Sequence, residues 1–265
     1  MSRREDELID RAFELQGQGE FEESLEILEE LPDDRGDRWV LACEALLELG
    51  RIEEADEARA RVRELAGPDD PNALWVEGKV RLAEWRLDEA RAALERLDIE
   101  DEGPPLLEEL ALLADLDGDA DRAHALLVRA HRLDSEGRAK PLRLSSEEFE
   151  VIVRSAAGEL PPHFQAAFEQ VAVVIDPMPT AELVGAPESG HAPDLLGLCL
   201  GLPFSERDSG TSGEMPLTIF LFQRNLERIA RDRAELEEEI RVTLYHELGH
   251  ALGFDEEGVD EMGLG

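Results

Sequence analysis

The feature that most constrains this chain is a recurrence in its first half. The stretches GEFEES, GRIEEA, WRLDEA and GDADRA each carry an anchor residue, an apolar or small residue two positions on, and alanine or serine five positions on. The anchors are Gly19, Gly50, Trp85 and Gly118, separated by 31, 35 and 33 residues. Apolar residues recur at helical spacing on both sides of each anchor, so every unit reads as two helices joined by a tight turn. Such a unit cannot bury its apolar face alone, and neighbours must stack on it. The small residue five on is Ser24, Ala55, Ala90 and Ala123 in turn. Trp85 at a turn position departs from the pattern, and the segments GPDDP and DIEDEGPP separate successive units.

This period and these positions resemble tetratricopeptide repeats, about four of them within residues 1–136. The resemblance implies an all-α helical solenoid that recruits a protein partner or substrate; the alternative is a plain bundle with similar helix lengths. Trp39, Trp75 and Trp85 read as packing residues rather than ligand platforms. His124 and His131, seven apart on the last helix of the array, have no third ligand near them and are assigned no chemistry.

Chemistry enters near the other end, in HELGHALGFDEEG, His246 to Gly258. On an α-helix the four-residue spacing puts His246 and His250 on one face, where two imidazoles can share a Zn²⁺. Glu247 falls at the edge of that face, badly placed to be a ligand and well placed to take a proton from a metal-activated water. Gly253 is a natural left-handed terminator, with Phe254 expected to pack back on Leu248. Beyond it the chain brings acids toward the histidines. Only 15 residues follow His250, so the third ligand is expected to be local or to come from upstream. The H-x-x-x-H-x-x-G-x-x-acid spacing favours Glu256, with Asp255 as runner-up. Asp260 is a candidate acceptor for an imidazole N–H, while Glu257 and Glu261 read as a solvated tail.

From Ser145 to the end the chain resembles the minimal zincin-like metallopeptidases of bacteria. The resemblance rests on SSEEFEVIVRSAAGELP, VAVVIDP, LLGLCLGLPFSERD, PLTIFLFQRNLE and EEEIRVTLYHELGHALGFDEE in that order. This chain offers Glu256 where aspartate is usual, with Asp255 beside it. The resemblance implies a short mixed sheet packed on the motif helix, one Zn²⁺ per chain, and hydrolysis of peptide bonds by an endopeptidase. It further implies a substrate lying extended along an edge strand, a role assigned to PLTIFLF.

Local patterns agree with that fold. Ser145 followed by Glu148 reads as a capping box, with the helix starting at Ser146. Val171–Ile175 and Pro216–Phe222 read as strands. The final helix is expected from about Ala234, its Glu235, Glu237, Glu238 and Glu239 suiting the positive end of the helix dipole. His191 lies in a glycine- and proline-rich loop and reads as an ordinary loop histidine, with a substrate-facing role as the lesser alternative.

The fold class is therefore α+β: repeats over 1–136, a linker at 137–144 and a zincin-like domain over 145–265, each half expected to fold separately. The formal net charge of −37 argues against nucleic acid and anionic membranes as partners. The N-terminal MSRREDELID lacks the apolar core of a signal peptide. Cys43 and Cys199 read as reduced, buried thiols, so the expected location is the cytoplasm. Two functions compete: a zinc metallopeptidase with a recruiting array, or a non-catalytic adaptor whose zincin-like domain holds metal or peptide without cutting. Glu247 favours the first, because a structural zinc site needs no base and is usually closed by cysteines.

Overall fold

A computed structural model describes residues 3–186, 189–201 and 217–254. The described chain is mostly helical, with one small sheet in its C-terminal part. It divides into two compact units, Met1–Leu113 with Ala181–Pro193, and Ala114–Thr180 with Asp194–Gly265.

The first half forms α1 (Arg3–Gln16), α2 (Phe21–Glu29), α3 (Gly36–Glu48), α4 (Ile52–Ala66), α5 (Pro71–Ala83), α6 (Leu87–Leu94), the short α7 (Ile99–Glu102), α8 (Pro104–Leu116) and α9 (Ala120–Leu133). The four anchors fall in the turns α1–α2, α3–α4, α5–α6 and α8–α9. All four are left-handed, with φ of 81°, 68°, 61° and 79° in chain order. The turns also share their bonding. The amide after each anchor donates to a carbonyl five residues back, as in Glu20 N to Leu15 O at 2.9 Å and Asp119 N to Ala114 O at 2.8 Å. Ser24, Ala55, Ala90 and Ala123 are all fully buried, as close helix pairing requires.

Trp85 occupies the left-handed conformation that costs a side chain about 1–2 kcal/mol. It is the one non-glycine residue with positive φ among those described. Its indole N–H donates to the carbonyl of His191 at 2.8 Å, tying the segment Ala181–Pro193 to the same unit. Trp39 and Trp75 likewise have bonded indoles, to Asp33 O and to the half-buried Glu44 carboxylate, and both rings pack on the helical core. Burial holds the Glu44 carboxyl above its ordinary range, against the lowering effect of the Trp75 N–H.

The second unit holds α9 and the last residues of α8, with α10 (Ser146–Gly158), α11 (Pro162–Phe168), β1 (Ala172–Asp176), β2 (Gly197–Leu200), β3 (Thr218–Phe222), α13 (Gln223–Ile229) and α14 (Arg233–Leu252); α12 (Ala181–Val184) belongs to the first. The capping box forms at α10: Glu148 N donates to Ser145 Oγ at 3.2 Å, and Ser145 N to Glu148 Oε2 at 2.9 Å. The strand order is β1-β3-β2, β1 parallel and β2 antiparallel to β3. This corrects the expectation that PLTIFLF supplies an edge. Its strand, β3, is the central one and is hydrogen-bonded on both sides; β1 and β2 are the edges among the described residues. The centre suits its composition, since Leu217, Ile219 and Leu221 are fully buried in the core between α10 and α14.

The stretch expected as a linker is part of this unit. Leu142 and Leu144 pack against its core, and Arg143 joins a buried charge cluster. One Arg143 guanidinium nitrogen contacts Asp115 Oδ2 at 2.9 Å and the other contacts Glu227 Oε2 at 3.1 Å. Arg228 also reaches Asp115, at 2.9 Å, and Arg224 reaches Glu227, at 2.7 Å. The two carboxylates are sealed from solvent, at 1% and 0% side-chain exposure. Leu144 N and Gln223 Nε2 satisfy the other Glu227 oxygen.

Removing one partner of a buried ion pair leaves an uncompensated charge. Arg143→Ala should therefore lower the unfolding free energy by about 3–5 kcal/mol in urea denaturation, and a fragment starting at Ser145, lacking Asp115 and Arg143, should be less stable than one starting at Ala114. A loss below about 1 kcal/mol for Arg143→Ala would mean that water replaces the guanidinium.

Candidate metal centre

α14 is built to present its motif. Asp232 caps it by accepting from Ala234 N at 2.8 Å and Glu235 N at 3.0 Å, one residue earlier than the expected start. Leu236, Ile240, Leu244 and Leu248 form a fully buried stripe on the core, and Tyr245 donates its hydroxyl to Ala156 O at 3.2 Å. Gly253 ends the helix at φ 94°, ψ 19°, its amide bonding to Gly249 O and His250 O. Phe254 is 41% exposed; its described part in the cap is a main-chain bond from its amide to Gly249 O at 3.1 Å.

With the leucine stripe facing inward, His246 and His250 are half-buried on another face. Their rings meet edge to face with centroids 4.6 Å apart, and the two Nε2 atoms are 3.0 Å apart. The Phe254 carbonyl lies 3.1 Å from His250 Nδ1. A carbonyl can only accept, so the proton sits on Nδ1 and the Nε2 lone pair is turned toward His246. Two imidazole lone pairs so close repel unless a proton or a cation lies between them. Two nitrogens bound tetrahedrally to one zinc at about 2.0 Å would stand about 3.3 Å apart. The observed pair is near that separation, so the two rings fit a shared metal, and the Phe254 carbonyl is the kind of outer acceptor that holds a ligating histidine in its tautomer.

Glu247 is 7% exposed and lies against β2. The strand runs close enough that a Cβ added to Gly197 would be 3.0 Å from Glu247 Oε1 and 2.7 Å from Thr243 Cγ2. In the β2–β3 ladder Phe222 N donates to Leu196 O at 2.9 Å, and Gly197 faces Leu221. Alternate residues of an antiparallel pair bond across it, so the main-chain N–H and C=O of Gly197 point away from β3, toward what is an edge of the sheet among the described residues. No sequence signal marked β2 as a strand. A glycine within an apolar run beside the motif segment was the available hint, since strand glycines often mark close backbone approach.

The described residues bring together His246, Glu247 and His250 of the expected site. Glu256, its runner-up Asp255, and Asp260, Glu257 and Glu261 lie outside the described residues. Among those described, no three His, Cys, Asp or Glu side chains are grouped to hold a metal. Cys43 is buried and Cys199, on β2, is half-buried against the core; both are free thiols. His191 belongs to the first unit, where its main chain serves Trp85 and Ser189. His131 bonds Arg138 O at 2.7 Å, a structural use that spacing did not reveal.

Residues 168–265 match the family model of the zincin-like metallopeptidases. The match covers β1, β2, β3 and α14 with its motif. No curated protein matches the chain. No described helix is long and apolar enough to cross a membrane.

If the two imidazoles hold a metal, His246→Ala and His250→Ala should each abolish stoichiometric zinc, measured by elemental analysis of purified protein; full occupancy in both would remove the site. Glu256→Ala should weaken zinc binding more than Asp255→Ala, and the reverse order would move the third ligand to Asp255.

Proposed function

We propose that this chain is a zinc-dependent endopeptidase holding one Zn²⁺ through His246, His250 and Glu256, with a helical-repeat array that recruits a protein partner or substrate. The observation that carries this reading is the pair of Nε2 atoms 3.0 Å apart with Glu247 beside them on the same helix. The match to the zincin-like metallopeptidases, which spans that helix, supports it.

Zinc bound here would polarise the scissile carbonyl and acidify the attacking water. The chain's own groups do the rest. The Phe254 carbonyl keeps the His250 proton on Nδ1, so Nε2 remains a ligand. Glu247 accepts the proton of the attacking water and delivers it to the amine nitrogen that leaves. The substrate's main chain lies extended along β2, where Gly197 offers an outward N–H and C=O beside the base. Recognition along a strand edge uses residues on both sides of the scissile bond, which is why we assign an endopeptidase.

In the array, left-handed anchors in four successive helix pairs and a buried small residue five on in each support tetratricopeptide-type repeats. Burial pushes the Cys43 thiol up to about 12, and a thiol kept protonated inside the fold suits the reducing cytoplasm to which we assign the protein.

The test is Glu247→Gln. Zinc content and fold should be unchanged while turnover of a peptide-library substrate falls by on the order of 10² to 10⁴. A rate equal to wild type would place the activity elsewhere, and a wild type that cuts no peptide or unfolded protein would leave a binding adaptor as the better reading.

A further inference from the structure

Gly197 opens β2, and a glycine in a strand packs no side chain and often marks close approach of the backbone to a neighbour. Its backbone is not among those with positive φ, so conformational freedom is no reason for it. Space is. An added Cβ would lie 2.7 Å from Thr243 Cγ2, closer than side-chain atoms pack, and 3.0 Å from both Cγ and Oε1 of Glu247, a contact that makes the neighbour give way. The approach is fixed from both sides. β2 is held by its ladder to the buried β3, and α14 is held by its leucine stripe.

We propose that Gly197 is a positioning residue for Glu247. The bare main chain of β2 forms a wall against which the glutamate stem rests, and that wall limits where the carboxylate can go. Any side chain at 197 crowds Cγ and Oε1 of Glu247 and pushes the carboxylate from its working position. The same absent side chain leaves the strand edge open beside the base, so one glycine serves both the aim of the carboxylate and the room for an extended peptide. This inference rests on the reading of Glu247 as the general base. Gly197 itself touches no reacting atom, and its effect is on the placement of the residue that does.

The test compares wild type, Gly197→Ala, Thr243→Ser and the double variant, all as full-length zinc-loaded protein. Gly197→Ala should keep its zinc and helical content, since no imidazole atom is among the three nearest to the new methyl, while crystal structures show the Glu247 carboxylate displaced by a few tenths of an ångström or more. A full 1 Å is worth on the order of 10²-fold in rate, so a loss of up to that size should appear in kcat with KM little changed. Thr243→Ser removes the atom with the closest contact. The double variant should therefore recover any folding loss but not kcat, because the clash with Glu247 remains. Full recovery of kcat in the double variant would show that the crowding acts through Thr243 and overturn the proposal. An unmoved Glu247 in the Gly197→Ala crystal would overturn it whether or not the protein is a peptidase. A moved carboxylate in a protein whose wild type cuts nothing would sustain the geometry and sink the peptidase reading instead. Insolubility of both 197 variants would reduce Gly197 to a packing residue.

Discussion

The candidate site depends on the seating of α14. Leu236, Ile240, Leu244 and Leu248 are fully buried at four-residue intervals, and burying each such side chain contributes about 1.5–3 kcal/mol by transfer. The energy matters less than the angle it fixes. Leu248 lies midway between the two histidines in sequence, and at about 100° per residue each imidazole is roughly 160° round the helix from it. Once the leucines are in the core, the histidines must face the other way. The face of the candidate site is thus set by apolar packing behind it, and the same packing brings the helix against β2, where Glu247 meets the bare backbone of Gly197.

The charged cluster of Asp115, Arg143, Glu227 and Arg228 works differently. Taking charges from water is costly, and apolar residues of similar volume often serve stability as well or better. What the cluster supplies is register. A guanidinium that must reach Asp115 with one nitrogen and Glu227 with the other defines where the extended stretch before α10 lies on the α13 surface. Gln223 and Leu144 saturate the remaining oxygen, so few alternative pairings are open to Glu227.

Much of this was legible in the sequence, and the limits have physical causes. The turn anchors could be read because a left-handed residue between tight helices selects glycine, and the buried small residues because close helix pairs exclude larger ones. Trp85 broke that rule, and its compensating bond joins residues 106 apart, which no local pattern carries. The capping box and the Gly253 terminator are local and were found. β2 was not: four residues with a glycine at the start carry too little alternation to stand out. The strand order was misjudged for a related reason. A strand with Ile219, Leu221 and Phe222 fully buried belongs at the centre of a small sheet, and reading PLTIFLF as an edge set an expectation from resemblance against its own composition. The stretch 137–144 has the polar look of a joint, but alternate residues Leu142 and Leu144 turn to the core and Arg143 finds buried acids. The third ligand was legible only as a choice between neighbouring acids, because a short acidic stretch after the glycine offers several carboxylates and spacing alone ranks them weakly.

The bond from Trp85 to His191 has a consequence for how the chain becomes a folded molecule. A helical array can assemble progressively as it leaves the ribosome, each pair docking on the last. The first unit departs from that order, because Ala181–Pro193 completes it after an intervening stretch that belongs to the other unit. Until residue 191 has been synthesised, the indole N–H of Trp85 has no carbonyl to meet, and the left-handed backbone at that turn lacks its compensation. Translation therefore leaves the Trp85 indole N–H to water until residue 191 emerges, so the third helix pair gains this bond only after the intervening stretch has been made.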